Sequence, residues 1–594
     1  MMSKAMKNLP RWNLKDLYSA PDGADLLNDK KKALRLAKAF EERYAPKIAI
    51  LTGKELITAL RAYEKLETLC ARLGSYAYLF YAQDMSRESA SAFVQKTTED
   101  MTQINRHLLF FTLTLARDKP AQRRKRLTAS GPYAPFLQKI YDQSQYKLSD
   151  ELERFINDKT PTGSGAWVRL FDETIARLRF SIGRSHGSLA QVLDRLSHPR
   201  ADVRKRAAQS LAKGLTAHEP LFVHITNTLA KDKAVTDEWR GFSEPWSARN
   251  LANEVEDEVV DALLVAVKRA YGDLSHRYYR FKARWFGKQK LAYWDRNAPY
   301  NTKEEVIAWS QAQRTVQQAV ADFSPPMAAI QQQFFTQAWI DAEPRAGKAP
   351  GAFSASVSTD SHPFILMNYM GKSRDVMTLA HELGHGIHQV LAAKQGELLS
   401  HTPLTLAETA SVFCETLTFT HLLKKHKDPA RRFILLTQKI EDVINTVVRQ
   451  ISFYDFERRV HHARRHQGVL SADQIGQIWL DVQKESLGPA IKLDKSYGIF
   501  WTYIPHFIHS PFYVYAYAFG QCLVDSLYDI YESGTIKNFP GKYVDLLKAG
   551  GRLRHTELLA PFGLDARSPD FWTRGLRRTG RLIDQLEVLA AEQR

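Results

Sequence analysis

The stretch His381-Glu382-Leu383-Gly384-His385-Gly386-Ile387-His388 lies in a run of helical periodicity and sets two histidines four residues apart with a glutamate beside the first. Each helical residue advances about 100° and 1.5 Å, so positions i and i+4 lie only about 40° apart around the axis. His381 and His385 therefore project side by side, one turn apart, in the geometry that clasps one Zn²⁺ between two imidazoles. Glu382 falls beside that face, where a carboxylate can serve the attacking water as general base without occupying the metal. Gly384 and Gly386 each cost on the order of 1 kcal/mol relative to Ala in a helix interior, which predicts that something approaches the backbone closely there. His388 continues the imidazole stripe on the same face.

A tetrahedral catalytic zinc keeps one position open, so a third protein ligand is expected downstream. Leu404 to Phe419, preceded by His401-Thr402-Pro403, reads as a second helix bearing Glu408 and Glu415 on an otherwise apolar surface. Two turns apart, these carboxylates point the same way, and a mostly buried pair of charges requires a cation or donors. Glu408 is the expected third ligand. Glu415 is the expected partner that orients a ligand imidazole from behind. The expected cofactor is one Zn²⁺ per chain.

Together with Glu408-Thr409-Ala410-Ser411 and Glu415, the histidine stretch resembles the oligoendopeptidase F branch of the thimet-oligopeptidase-like zinc peptidases. So do Lys348-Ala349-Pro350-Gly351-Ala352-Phe353, Pro363-Phe364-Ile365-Leu366-Met367-Asn368-Tyr369 and Asp375-Val376-Met377-Thr378-Leu379-Ala380. Ala349 departs from the pattern, where a basic residue is common. The resemblance spans nearly the full chain, including Trp12-Asn13-Leu14-Lys15-Asp16-Leu17-Tyr18, and is strongest from 348 to 415.

The segment His506-Phe507-Ile508-His509-Ser510-Pro511-Phe512-Tyr513-Val514-Tyr515-Ala516-Tyr517 resembles the family's His/Tyr segment, which faces the metal and the scissile carbonyl. Phenol or imidazole donors suit that task, because attack on a carbonyl creates an oxyanion that they stabilise. Tyr513 and Tyr517, four apart, are expected to reach one site together, while Tyr515 points away. The register leaves both His506 and His509 as candidates, with His506 preferred. The expected catalytic residues are thus Glu382, His506, Tyr513 and Tyr517, and the metal ligands His381, His385 and Glu408.

Helical periodicity dominates the rest of the chain, as in Val260, Leu263, Leu264 and Val267 at i, i+3, i+4 and i+7, so the fold is expected to be mostly α. Alternation in Phe353, Ala355 and Val357, followed by Phe364-Ile365-Leu366, predicts a small β-hairpin just before the histidine helix. An edge strand there could pair with an extended peptide. The expected organisation is an N-terminal helical region over 1–115, an oligoendopeptidase N-terminal-like helical region over 116–195 and a zinc peptidase domain over 200–594. The resemblance further implies two helical lobes around a deep channel that admits short unstructured peptides.

The net charge of +18, from 83 basic and 65 acidic residues, comes from scattered runs such as Arg123-Arg124-Lys125-Arg126, Lys424-Lys425-His426-Lys427 and Arg458 to Arg465. No nucleic-acid module accompanies them, so they are read as solvated helix faces, and His461, His462 and His466 as a surface cluster. Cys70, Cys414 and Cys522 are too few and too scattered for a disulfide framework. Met1 to Tyr18 lacks a signal-like apolar core, and no run of 18 apolar residues occurs, so a cytoplasmic protein without a membrane partner is expected. The expected function is zinc-dependent cleavage of internal bonds in short oligopeptides. The rivals are a dipeptidyl carboxypeptidase of the same metal class and a basic nucleic-acid-binding helical protein.

Overall fold

The computed structural model describes residues 9–300 and 306–592, so the first eight residues of the Met1 to Tyr18 stretch lie outside it. Helices account for most of the described residues, and strands occur only as short pairs and one three-stranded sheet. Two compact units emerge. One comprises Met1–Gln145, Glu304–Lys425 and Ser533–Leu564, the other Tyr146–Lys303, His426–Glu532 and Asp565–Arg594.

In the first unit the helices Ala24–Tyr44, Gly53–Gln83 and Glu88–Ala116 pack on one another. Leu66, Leu69, Leu73 and Tyr76 recur at spacings of three and four and form one buried stripe, as an amphipathic helix requires. Trp12, Leu14, Leu17 and Tyr18 join the same core.

The hairpin forms as Phe353–Ala355 antiparallel to Phe364–Leu366, with Ser354 opposite Ile365. A third strand, Ile340–Asp341, which carries no alternation signal of its own, pairs parallel with the other side of Phe364–Leu366. The central strand therefore has its edges paired and both faces covered. Phe364 and Leu366 face the N-terminal helices, while Ile365 and Met367 face Val376, Leu379 and Leu383 of the histidine helix. A strand buried on both faces reads as a continuous apolar run. The sheet is pinned by the buried Lys348 ammonium, which donates to Asp341 Oδ1 at 2.8 Å and to the Met367 carbonyl at 2.7 Å.

In the second unit the helix Asp257–Arg269 buries Val260, Leu263, Leu264 and Val267. The helices Arg449–Gln467 and Ala472–Leu487 pack through Trp479 on Phe453 and Phe456.

Two basic readings need correction. Arg126 is fully buried, paired with Asp118 at 2.9 Å and donating to the Ile48 carbonyl, so it is a core residue rather than part of a solvated face. His461 turns inward, its ring 4.7 Å from that of Phe512, and burial pushes it down to about 3, whereas His462 and His466 are exposed.

Among the described residues no helix is long and apolar enough to cross a membrane. All three cysteines are free, and burial pushes the Cys414 thiol up to about 12, which makes it unreactive.

Candidate metal centre

The histidine helix runs Ser373–Ala392. At its start the Asp375 carboxylate accepts the N–H groups of Met370 and Lys372 at 2.7 and 2.9 Å, satisfying donors ahead of the first turn. Both glycines meet close neighbours. A Cβ at Gly384 would stand 2.5 Å from the Ala410 carbonyl oxygen and 2.6 Å from Ser411 Cα, and one at Gly386 would stand 2.4 Å from the Phe334 ring. The first contact is backbone on helix, so only Gly lets the Thr409–Lys425 helix come close enough for its carboxylates to reach the imidazoles.

The expected second helix is broken. It runs Leu404–Ala407, pauses at Glu408 with φ −80° and ψ 0°, and resumes as Thr409–Lys425. Glu408 therefore projects from an interruption rather than from two regular turns shared with Glu415. Its Oε2 accepts the Ser411 hydroxyl at 2.7 Å, a contact that the sequence reading assigned to no role. The only sequence signal for it is a serine three residues after the glutamate.

Glu408 Oε2 lies 3.3 Å from His381 Nε2 and 3.5 Å from His385 Nε2, and the three ligand atoms all lie within 4.8 Å of one another. Ligands held about 2.0–2.1 Å from a tetrahedral zinc stand about 3.3–3.4 Å apart, so these side chains already occupy two edges of such a tetrahedron. Glu415 Oε2 lies 3.4 Å from His381 Nδ1, on the opposite side of that ring. The donor set of two imidazoles and one carboxylate, with a carboxylate behind one imidazole, fits zinc.

The electrostatics agree. Burial would lower His381, but the hydrogen bond to Glu415 and the charges of Glu408 and Glu382 outweigh it and raise it to about 9. Burial takes His385 down to about 4 despite Glu408. The cluster thus favours a positive charge on one imidazole, the place a dication would fill. Burial pushes the Glu382 carboxyl up to about 7, and a dication nearby would pull it back down.

The edge strand is tied to this helix, because Gln389 Nε2 donates to the Ser354 carbonyl at 3.1 Å while Ser354 Oγ donates to Gln389 Oε1 at 2.8 Å. A cavity of about 140 Å³ opens beside His385 and His388, with Ser356, Ser358, Gln389 and Glu397 in its lining.

In the second unit, His506, Tyr513 and Tyr517 come together. Tyr513 and Tyr517 rings meet edge to face at 5.2 Å, and Tyr517 Oη lies 3.3 Å from His506 Nε2. His509 instead turns to Asp172, 2.7 Å away, and Tyr515 is fully buried with its hydroxyl accepting from Asn253 Nδ2 at 2.8 Å. Tyr513 lies outside the helix that its spacing from Tyr517 implied: a four-residue turn, His506–His509, is followed by an irregular bend, and the helix begins at Tyr515.

The model of peptidase family M3 matches residues 195–578, well over half of the chain. The chain belongs to peptidase family M3. A second family model, described as oligopeptidase F, matches residues 119–180. The chain is 27% identical over 406 residues to an oligoendopeptidase F homolog of Lactococcus lactis subsp. lactis, covering 68% of this chain and 66% of that one. It is 24% identical over 597 residues to the oligopeptidase PepF of Bacillus subtilis, covering 97% of this chain and 87% of that one. Among solved structures, a chain from Chlamydophila abortus matches with TM-score 0.88 at 22% identity, covering 99% of this chain and 100% of that one. Oligoendopeptidase-F of Enterococcus faecium matches with TM-score 0.70 at 19% identity, covering 96% and 98%. Family M3 members are metallopeptidases, so membership favours peptide-bond hydrolysis over the nucleic-acid-binding reading.

Proposed function

We propose that this family M3 protein is a zinc-dependent endopeptidase that cleaves internal bonds of short, unstructured oligopeptides in the cytoplasm. The observation that carries the proposal is the approach of Glu408 Oε2 to His381 Nε2 and His385 Nε2 at tetrahedral spacing, with Glu382 buried beside them. His381, His385 and Glu408 would hold the metal, which when bound polarises a carbonyl and makes water a nucleophile near neutral pH.

Glu382, buried beside the three ligands and touching none of the expected metal positions, takes the proton of the attacking water and delivers it to the leaving amine. Glu415 holds the His381 ring through Nδ1, leaving Nε2 for the metal. Tyr513, Tyr517 and His506 donate hydrogen bonds to the carbonyl oxygen as negative charge develops on it. The edge strand Phe353–Ala355 offers backbone groups to an extended peptide.

Digestion of a mixed peptide library, with and without chelator and read by mass spectrometry, tests the reading. Internal cleavage of short peptides that disappears with chelator and returns with Zn²⁺ is expected. Release of C-terminal dipeptides alone would make the protein an exopeptidase.

A further inference from the structure

Phe512 adopts φ +60°, a left-handed conformation that L side chains avoid and that glycine adopts freely. Phe512 is fully buried, its ring packed on His461, on Tyr454 at 6.2 Å and on Trp246 at 6.3 Å. Strained backbone of this kind persists only where its surroundings hold it in place.

The hold comes from the Arg449–Gln467 helix. Glu457 is 2% exposed, and its Oε1 accepts the Phe512 N–H at 2.8 Å. Its other oxygen has no hydrogen-bond partner among the described residues, and the side chain borders a small cavity of about 30 Å³ with Phe507, Ile508 and Pro511 in its lining. A second clamp, Arg249 Nε, donates to the Pro511 carbonyl at 3.2 Å. Immediately beyond the bend, Tyr513 N–H bonds back to the Ser510 carbonyl at 3.1 Å, and the Tyr513 ring lies parallel to His506 at 6.2 Å.

We propose that Glu457 is a positioning residue for the Tyr513 and Tyr517 hydroxyls: by accepting the Phe512 N–H it locks the left-handed bend that turns Tyr513 onto His506 and Tyr517. The inference rests on the reading of those tyrosines as carbonyl donors. Glu457 touches no reacting atom. Burial pushes its carboxyl up to about 8 against the lowering charges of Arg249 and Lys233, and in either protonation state Oε1 accepts the Phe512 N–H. Glutamine presents the same oxygen at the same reach. Aspartate keeps the acid but falls one methylene short, and methionine keeps the volume without an acceptor.

The test is steady-state kinetics on one internally cleaved peptide for Glu457→Gln, Glu457→Asp and Glu457→Met, beside Tyr517→Phe, with zinc content measured for each. Glu457→Gln is expected within about threefold of wild-type kcat. Glu457→Asp and Glu457→Met are expected to lose about 10- to 100-fold in kcat with KM within about twofold, as for a misplaced transition-state donor, and to keep one zinc per chain. Wild-type kcat in the Asp and Met variants overturns the inference. An equal loss in all three, Gln included, also overturns it, because the charge and not the acceptor would then matter. Should the Met variant fail to fold, Gln against Asp decides. If Tyr517→Phe itself is harmless, the carbonyl-donor reading fails first and takes this inference with it.

Discussion

His381, Glu382 and His385 ride on twenty residues of unbroken helix, whereas His506, Tyr513 and Tyr517 hang on a segment that stops, bends through a left-handed phenylalanine and restarts. In the first region the helix itself sets the spacing of the side chains, and the surroundings have only to come close. In the second, no repeat sets the spacing. The bend must be held from outside by Glu457 and Arg249. A regular element carries its geometry in the backbone, while an irregular one borrows it from neighbours, so the two regions should break under different substitutions.

The largest effect is expected at the metal itself. Glu408→Gln should strip most of the zinc measured per purified chain, and Glu415→Gln should leave most of it, because only Glu408 faces both Nε2 atoms. Equal retention in the two variants would remove Glu408 from the ligand set.

Next comes the proposed base, Glu382, on the same regular helix. Glu382→Gln should keep zinc and lose on the order of 10²-fold or more in kcat, the usual consequence of removing a general base. Turnover near wild type at full zinc would assign the proton transfer elsewhere.

In the irregular segment, Tyr517→Phe removes one donor with its ring in place, and a loss of roughly 10²-fold in kcat, with little change in KM, is expected. Tyr515→Phe sharpens the contrast. Its hydroxyl is buried on Asn253, so melting should show a cost of about 1 kcal/mol while kcat stays near wild type.

Gly384→Ala probes the regular region where it depends on its surroundings. The added methyl meets the Ala410 and Ser411 backbone, and destabilisation of about 1–3 kcal/mol by denaturant titration is expected, despite the better helix propensity of alanine. A stabilised variant would mean that the two helices move apart without penalty.

Much of the first region was legible in the chain. The i, i+4 rule places His381 beside His385, and two costly glycines announce a close neighbour without naming it. The neighbour, the Ala410–Ser411 backbone, became visible only in the fold. Periodicity also anticipated the helix Asp257–Arg269 and the pairing of Phe353–Ala355 with Phe364–Leu366. The third strand stayed hidden, because two residues, Ile340–Asp341, are too short to show alternation. The break at Glu408 stayed hidden because nothing in Leu404 to Phe419 is a helix breaker. The inward turn of Arg126 and His461 was equally invisible, since a charged residue within a basic run looks solvated until a partner such as Asp118 or a ring such as Phe512 is found against it.

The helical class, the two-histidine face with its adjacent glutamate, and the family follow from residue type and local spacing alone. The break at Glu408, the meeting of His506 rather than His509 with the tyrosines, and the buried glutamate on the N–H of a left-handed Phe512 come from the folded chain. Those outcomes depend on contacts between residues far apart in the chain, which no local periodicity encodes.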